Sequence, residues 1–304
     1  FIVEAIKKAG YKPGEDVFAQ AEGFTNGISQ VITTVAQFVG SGLLLFLSYS
    51  NLAFVNAFTF LAAGLLYASV GVRHKKDNQP IEPQEVNEQK FFATMKTSYT
   101  QIKKASGLLS VVLVIALLNG ALTSMGSLLP IIMAGNRSTM IISTYSFTLA
   151  VIGLVVSVGA ILGSTFGPQL FKKQSVFFMV IVAIVLSVAT TVAAVFANIF
   201  AIMPFYFLLA LVVSTASLKM QQWLVTTIDR KILASSVGLL NTIIMATSPV
   251  MTTVLTTISG LGDVRYALFA LLAVEIIILF VAVKLSVKNK INTEEVKSAV
   301  VVNK

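Results

Sequence analysis

A single carboxylate, Glu275, stands in the middle of the run ALFALLAVEIIILFV (residues 267–281), and no other charge falls between Ala267 and Val283. A carboxylate at the centre of a bilayer costs about 2.5–3.5 kcal/mol on insertion scales, so an acid in such a run marks a functional group by default. A carboxyl that takes up and releases a proton there would serve as a proton-coupling group. Its structural alternative is a protonated Glu that hydrogen-bonds a neighbour at a helix contact. Lys284, nine residues on, can extend its stem and place its charge at the membrane surface.

A second constellation is uncharged. Asn26, Gln30, Thr33, Gln37 and Ser41 step by four, three, four and four, so they share one face of a helix. A shift of 215 residues sets Gly23-Phe24-Thr25-Asn26 on Gly238-Leu239-Leu240-Asn241. It carries the stripe onto Asn241, Met245, Ser248, Thr252 and Thr256, polar at four of the five. Each copy follows a charged loop with an acidic residue, Glu15-Asp16 in one and Asp229 in the other. Repeated halves around a midplane site are how many secondary transporters are built, and two such stripes would line a water-accessible substrate cavity. Ser and Thr also stabilise helix contacts by hydrogen bonding. For Thr33, Ser248, Thr252 and Thr256 both roles stand, whereas the bulkier Asn26 and Gln37 favour the cavity. Asn56 reads as a helix–helix hydrogen bond and Glu22 as a rim charge. The aromatic run Pro204–Leu211 either stacks a lipophilic substrate or faces lipid.

Other chemistry is excluded by composition. The chain has no cysteine, so disulfides, thiolate metal sites and thiol nucleophiles are absent, and its one histidine, His74, lies in a charged loop. No metal-ligand cluster, no Ser/His/Asp set and no phosphate-binding glycine loop is present, which argues against an enzyme and implies no cofactor. A net charge of +9 invites nucleic acid as a partner, but the basic residues sit at helix ends rather than in one patch. They read as topology signals, so no nucleic acid is expected.

The elements that position these residues follow from hydropathy. Of 304 residues, 56% are hydrophobic and 12% charged, about half the charged fraction of soluble domains, and the mean hydropathy is +0.87. Apolar runs of about 20 residues recur along the chain, as in a polytopic helical membrane protein. The expected fold is therefore all-α, a transmembrane helical bundle of eight spans. These lie near Phe24–Leu47, Leu52–Val72, Leu108–Met133, Met140–Phe166, Val176–Ala197, Ile199–Leu218, Val237–Ile258 and Ala267–Val287. Arg73–Lys104 is the one long polar interval, with seven Lys/Arg and four Asp/Glu. Placing it in the cytoplasm puts 20 of the 22 Lys/Arg on that side, leaving only Arg137 and Arg265 opposite. Within it Phe92, Met95, Tyr99 and Ile102 recur at helical spacing, the pattern of a helix lying on the membrane surface or docking a protein. Gly159, Gly163 and Gly167 make a small-residue face suited to close helix contact, and Asn119-Gly120 reads as an interruption of the third span.

The run GEDVFAQAEGFTNGISQVITTVAQFVGSGLL, followed by FVNAFTFLAAGLL, resembles the fourth-to-sixth helix region of major facilitator superfamily transporters. KMQQWLVTTIDRKILASSVGLLNTIIMATSPV resembles their tenth-to-eleventh helices, and GPQLFKKQ occupies the place of their degenerate loop motif. The branch it is most similar to holds the macrolide-efflux-like and enterobactin-exporter-like permeases. Of the glycine-rich exporter motif, Gly27 and Gly40 fit, while Ala36, Ser41, Leu44 and Leu45 replace other positions. The resemblance implies helices five to twelve of a twelve-helix permease, with the N-terminus truncated. It also places Asn119 where the seventh helix is broken at the binding cavity.

The expected domains are then residues 1–72, the end of the first helical half; 73–106, a cytoplasmic linker; 107–288, a six-helix half; and 289–304, a cytoplasmic tail. The expected function is secondary active transport, an antiporter coupling efflux of amphipathic small molecules to protons by alternating access. The substrate cavity comprises Asn26, Gln30, Thr33, Gln37, Asn119, Asn241, Ser248 and Thr252, with Glu275 for proton coupling. The partners are then the lipid bilayer, the substrate and the proton, and the location a cell membrane. The alternative is a membrane interaction protein that transports nothing.

Overall fold

The computed structural model describes residues 16–43, 49–77, 96–100, 108–228 and 233–302. Among these the chain is helical, with no strand. The helices are α1 (Asp16–Leu43), α2 (Tyr49–Asp77), α3 (Leu108–Gly135), α4 (Arg137–Met140), α5 (Tyr145–Thr165), α6 (Gly167–Leu170), α7 (Val176–Val195), α8 (Ile199–Thr227), α9 (Leu233–Gly260) and α10 (Val264–Val302).

Six segments are long and apolar enough to cross a membrane: Leu109–Gly135, Tyr145–Thr165, Val176–Val195, Ile199–Leu224, Ser235–Gly260 and Val264–Val287. They fit a helical bundle that spans a bilayer, as expected for the last six spans. Of the first two expected spans, residues 24–43 fall in α1 and 52–72 in α2, while 44–47 lie outside the described residues; the apolar stretch described in α2 is the shorter Ala53–Leu66. Phe54, Phe58, Leu61 and Leu65 of that stretch are all exposed.

Local chemistry sets the helix starts. Thr144 accepts a hydrogen bond from the Phe147 amide, so α5 begins at Tyr145, and Met140, the expected start of that span, instead ends the short α4. Ser175 caps α7 through the Phe178 amide, and Asn198 caps α8 through the amides of Phe200 and Ala201. Before it, Ala197 turns the chain between α7 and α8 at a positive φ of 49°. Two boundaries differ from expectation. The interval from Lys219, expected as loop, continues α8 to Thr227, because Lys, Met, Gln, Trp and Leu are all compatible with a helix. Asn119-Gly120 does not interrupt α3, which runs unbroken through both residues. A Cβ on Gly120 would sit 3.3 Å from the Thr247 carbonyl oxygen, so this glycine serves the approach of α9. Of the expected surface helix, residues 96–100 are helical, with Tyr99 exposed and Ser98 buried against Ser235 at 2.7 Å. Phe92, Met95 and Ile102 lie outside the described residues.

α3 packs on α9, α5 on α8, and α7 on both α8 and α10; α1 lies against α5. The α5–α8 seam is the tightest. A Cβ on Gly159 or Gly163 would strike the carbonyl oxygen of Phe207 or Leu211, and one on Gly167 would strike the Thr215 side chain. Thr215 Oγ1 then donates to the carbonyls of Gly163 (2.9 Å) and Leu211 (2.8 Å), fixing the seam at close range. One end of the bundle carries Lys172, Lys173 and Lys219, with Lys219 Nζ donating to the Gln174 carbonyl at 2.6 Å. Toward the other end Met133, Met140, Ile199, Ile202 and Leu268 form one buried cluster, beside a surface pocket at Arg137, Ser138 and Tyr145.

Replacing Gly163 by Val forces these backbones apart and lowers stability by about 1–3 kcal/mol. Gly126→Val meets nothing within 4 Å and serves as the control. Thermal unfolding in detergent should separate the two variants.

Candidate functional site

A cavity of about 370 Å³ lies among α3, α7, α8 and α9, in the half of the bundle nearer Lys172 and Lys219. α3 contributes Asn119 and Leu122, α7 contributes Val180 and Ala183, α8 contributes Ser217 and Gln221, and α9 contributes Asn241 and Ile244. Pockets of this size, mainly apolar with a few polar groups, are the usual form of a small-molecule site. None of the lining residues is an acid or a base.

Asn119 is held in place. Its Nδ2 donates to Ser248 Oγ at 2.9 Å and to the Ile244 carbonyl at 3.3 Å. Around it the α3–α9 seam is laced with hydroxyls: Thr123 lies 3.3 Å from Ser248, Ser124 lies 3.1 Å from Thr252, and Thr247 donates to the Ala116 carbonyl. Ser248 and Thr252 therefore stand at a helix contact, where Ser248 orients Asn119.

The expected cavity residues thus divide. Asn119 and Asn241 come together at one cavity. On α1, Asn26 and Gln30 are half-buried, and Thr33 is exposed and donates to the Ser29 carbonyl at 2.9 Å; none of the three lines this cavity. The Gln37 side chain lies outside the described residues.

Glu275 occupies a second, separate place. It is fully buried between α10 and α7, where the Ser187 hydroxyl donates to its Oε1. Thr191, one turn beyond Ser187, stands beside the carboxyl, though neither its Oγ1 nor Glu275 Oε2 makes a hydrogen bond of ordinary geometry. Tyr206 of the aromatic run lies on α8 within electrostatic range of the carboxyl; that run does not line the cavity. α7 touches both sites, with Ala183 on the cavity and Ser187, one turn later, on the carboxyl.

Sequence reasoning missed Ser187, Thr191, Ser217 and Gln221. A signal existed for the first two, since Ser187, Thr190 and Thr191 are the only polar residues of Val176–Val195. Gln221 was hidden by the expectation that α8 ends before it. Among the described residues no group of three or more His, Cys, Asp or Glu is placed to hold a metal. No protein-family model and no curated protein matches the chain.

The Ser187–Glu275 bond should contribute about 1–2 kcal/mol. Ser187→Ala therefore lowers stability in the native background and has almost no effect on top of Glu275→Leu. A double-mutant cycle by thermal unfolding checks this.

Proposed function

We propose that this chain is a secondary active transporter of the major facilitator type, exporting amphipathic small molecules in exchange for protons by alternating access. The observation that carries the reading is the pairing of a mainly apolar cavity between the helices with a sealed carboxyl one helical turn away along α7. Membrane helices that only pack together have no need of either feature. The cavity takes the substrate, with Asn119 and Asn241 as its polar contacts; Glu275 takes the proton, and Ser187 positions it. Movement of α7 at Ala183 shifts Ser187 relative to Glu275, which links the two.

The finer topology rests on the same reading. α1 and α2 count as two further spans, making eight, and the polar interval and C-terminal tail lie in the cytoplasm. The apolar residues exposed along α2 support its placement in lipid or against further helices. α10 continues as a helix to Val302, past its apolar segment, so the expected tail is an extension of the last span.

Proteoliposomes carrying an imposed pH gradient and a panel of cationic, neutral and anionic fluorescent dyes test this. At least one dye should move faster with the gradient than without it. Glu275→Gln should abolish the gradient dependence, and Asn119→Ala or Asn241→Ala should slow movement about tenfold, equivalent to 1.4 kcal/mol. Movement at the protein-free rate for every dye would favour the non-transporting interaction protein. Unchanged movement in all three variants would discard the site residues.

A further inference from the structure

We propose, resting on the cavity as the substrate site, that its ligand is an uncharged molecule with an apolar body and one hydrogen-bond donor, which Asn119 Oδ1 accepts. Two observations carry this beyond amphipathic character in general.

The first is the orientation of Asn119. The Ile244 carbonyl only accepts, so the carboxamide nitrogen must face it, and the amide orientation follows from chemistry. With Nδ2 spent on Ile244 and Ser248, the group left to Asn119 is Oδ1. It accepts no hydrogen bond from the described residues. Nor is it among the buried atoms sealed off without a partner, and Asn119 lines the cavity. A carboxamide oxygen left unpaired on a mainly apolar pocket selects a donor: a hydroxyl, an amide N–H or an indole N–H.

The second is charge. No acid or base lines the cavity. Glu275, the nearest acid on the neighbouring elements, is fully buried behind Ser187, and Lys219 turns to the Gln174 carbonyl. A charged ligand would lose its hydration at this depth and meet no counter-charge, whereas a neutral one loses little. Asn241, Gln221 and Ser217 lie nearer the lysine-bearing end and suit a second polar group on the same molecule.

Three probes of one shape separate these terms: biphenyl-4-ol, its methyl ether, and biphenyl-4-yl-trimethylammonium. Their binding to the full chain in lipid nanodiscs is measured calorimetrically, with empty nanodiscs subtracted and no gradient present. The phenol should bind about tenfold tighter than the ether, the gain of one hydrogen bond, and the ammonium should not bind. Asn119→Leu should equalise phenol and ether. Asn119→Asp, which supplies the missing counter-charge, should admit the ammonium, and it decides alone if Asn119→Leu fails to fold. Native-chain affinity for the ammonium equal to that for the phenol, or a donor preference that survives Asn119→Leu, would overturn the proposal. Binding in the expected order without gradient-driven dye movement keeps the ligand class and removes the transport reading. Dye movement that favours charged dyes does the reverse.

Discussion

Hydrocarbon supplies no hydrogen bonds, and that constraint governs the rest of this structure. Every polar group at membrane depth must find its partner within the protein. The helices meet it locally: Thr190 and Ser124 return hydrogen bonds to the carbonyls of Leu186 and Gly120, and Thr256 to that of Thr252. Where two helices meet, hydroxyls and carboxamides reach across, as Thr215 does to α5 and Asn119 to α9. Groups that escape the rule are therefore informative. Among the described buried side-chain atoms, Glu275 Oε2, Thr191 Oγ1 and Ser236 Oγ have no partner. Two of the three meet at one place, around the only acid of the apolar segment Val264–Val287. Ser236 lies at the start of α9, apart from both sites, and nothing in the structure explains it.

Close approach is the second half of the design. Gly159 and Gly163 bring α5, and Gly167 brings the start of α6, onto α8 so tightly that no side chain fits between them. Gly120 does the same less severely for α3 and α9. With the helices locked in these pairs, a cavity of about 370 Å³ is left among α3, α7, α8 and α9. It lies nearer the end that carries Lys172 and Lys219, whereas the buried cluster of Met133, Met140 and Leu268 lies toward the other.

Much of this was legible in the sequence, for identifiable reasons. The six apolar segments were plain because hydrocarbon sets their length. Glu275 was plain because a lone acid in such a run has no neighbours to hide among. The stripe Asn241, Ser248, Thr252 was legible as one helix face, but periodicity names a face and not what covers it. The structure gives Asn241 to the cavity and Ser248 and Thr252 to α3. Asn119-Gly120 read as a break because glycine weakens helices, yet tertiary contact from Met251 and Thr247 overrides that weak local preference. Charge misled at Lys219: a lysine marks the water boundary, but a helix can continue through it, and Gln221 went unnoticed as a result. Nothing in the sequence could have paired Ser187 with Glu275, 88 residues apart.

Transport by the proposed route requires the cavity to open to alternate sides of the membrane. The chain contains no cysteine, so single thiols can be introduced without background. Ser217→Cys lies on the cavity nearer the lysine-bearing end, and Ser127→Cys lies on α3, beyond Asn119 toward the arginine-bearing end. Reaction of each with a membrane-impermeant maleimide should be measured in oriented vesicles under pH gradients of both signs. Alternating access predicts reciprocal change, with Ser217→Cys protected under the gradient that exposes Ser127→Cys. Labelling rates that stay fixed at both positions under either gradient would contradict it.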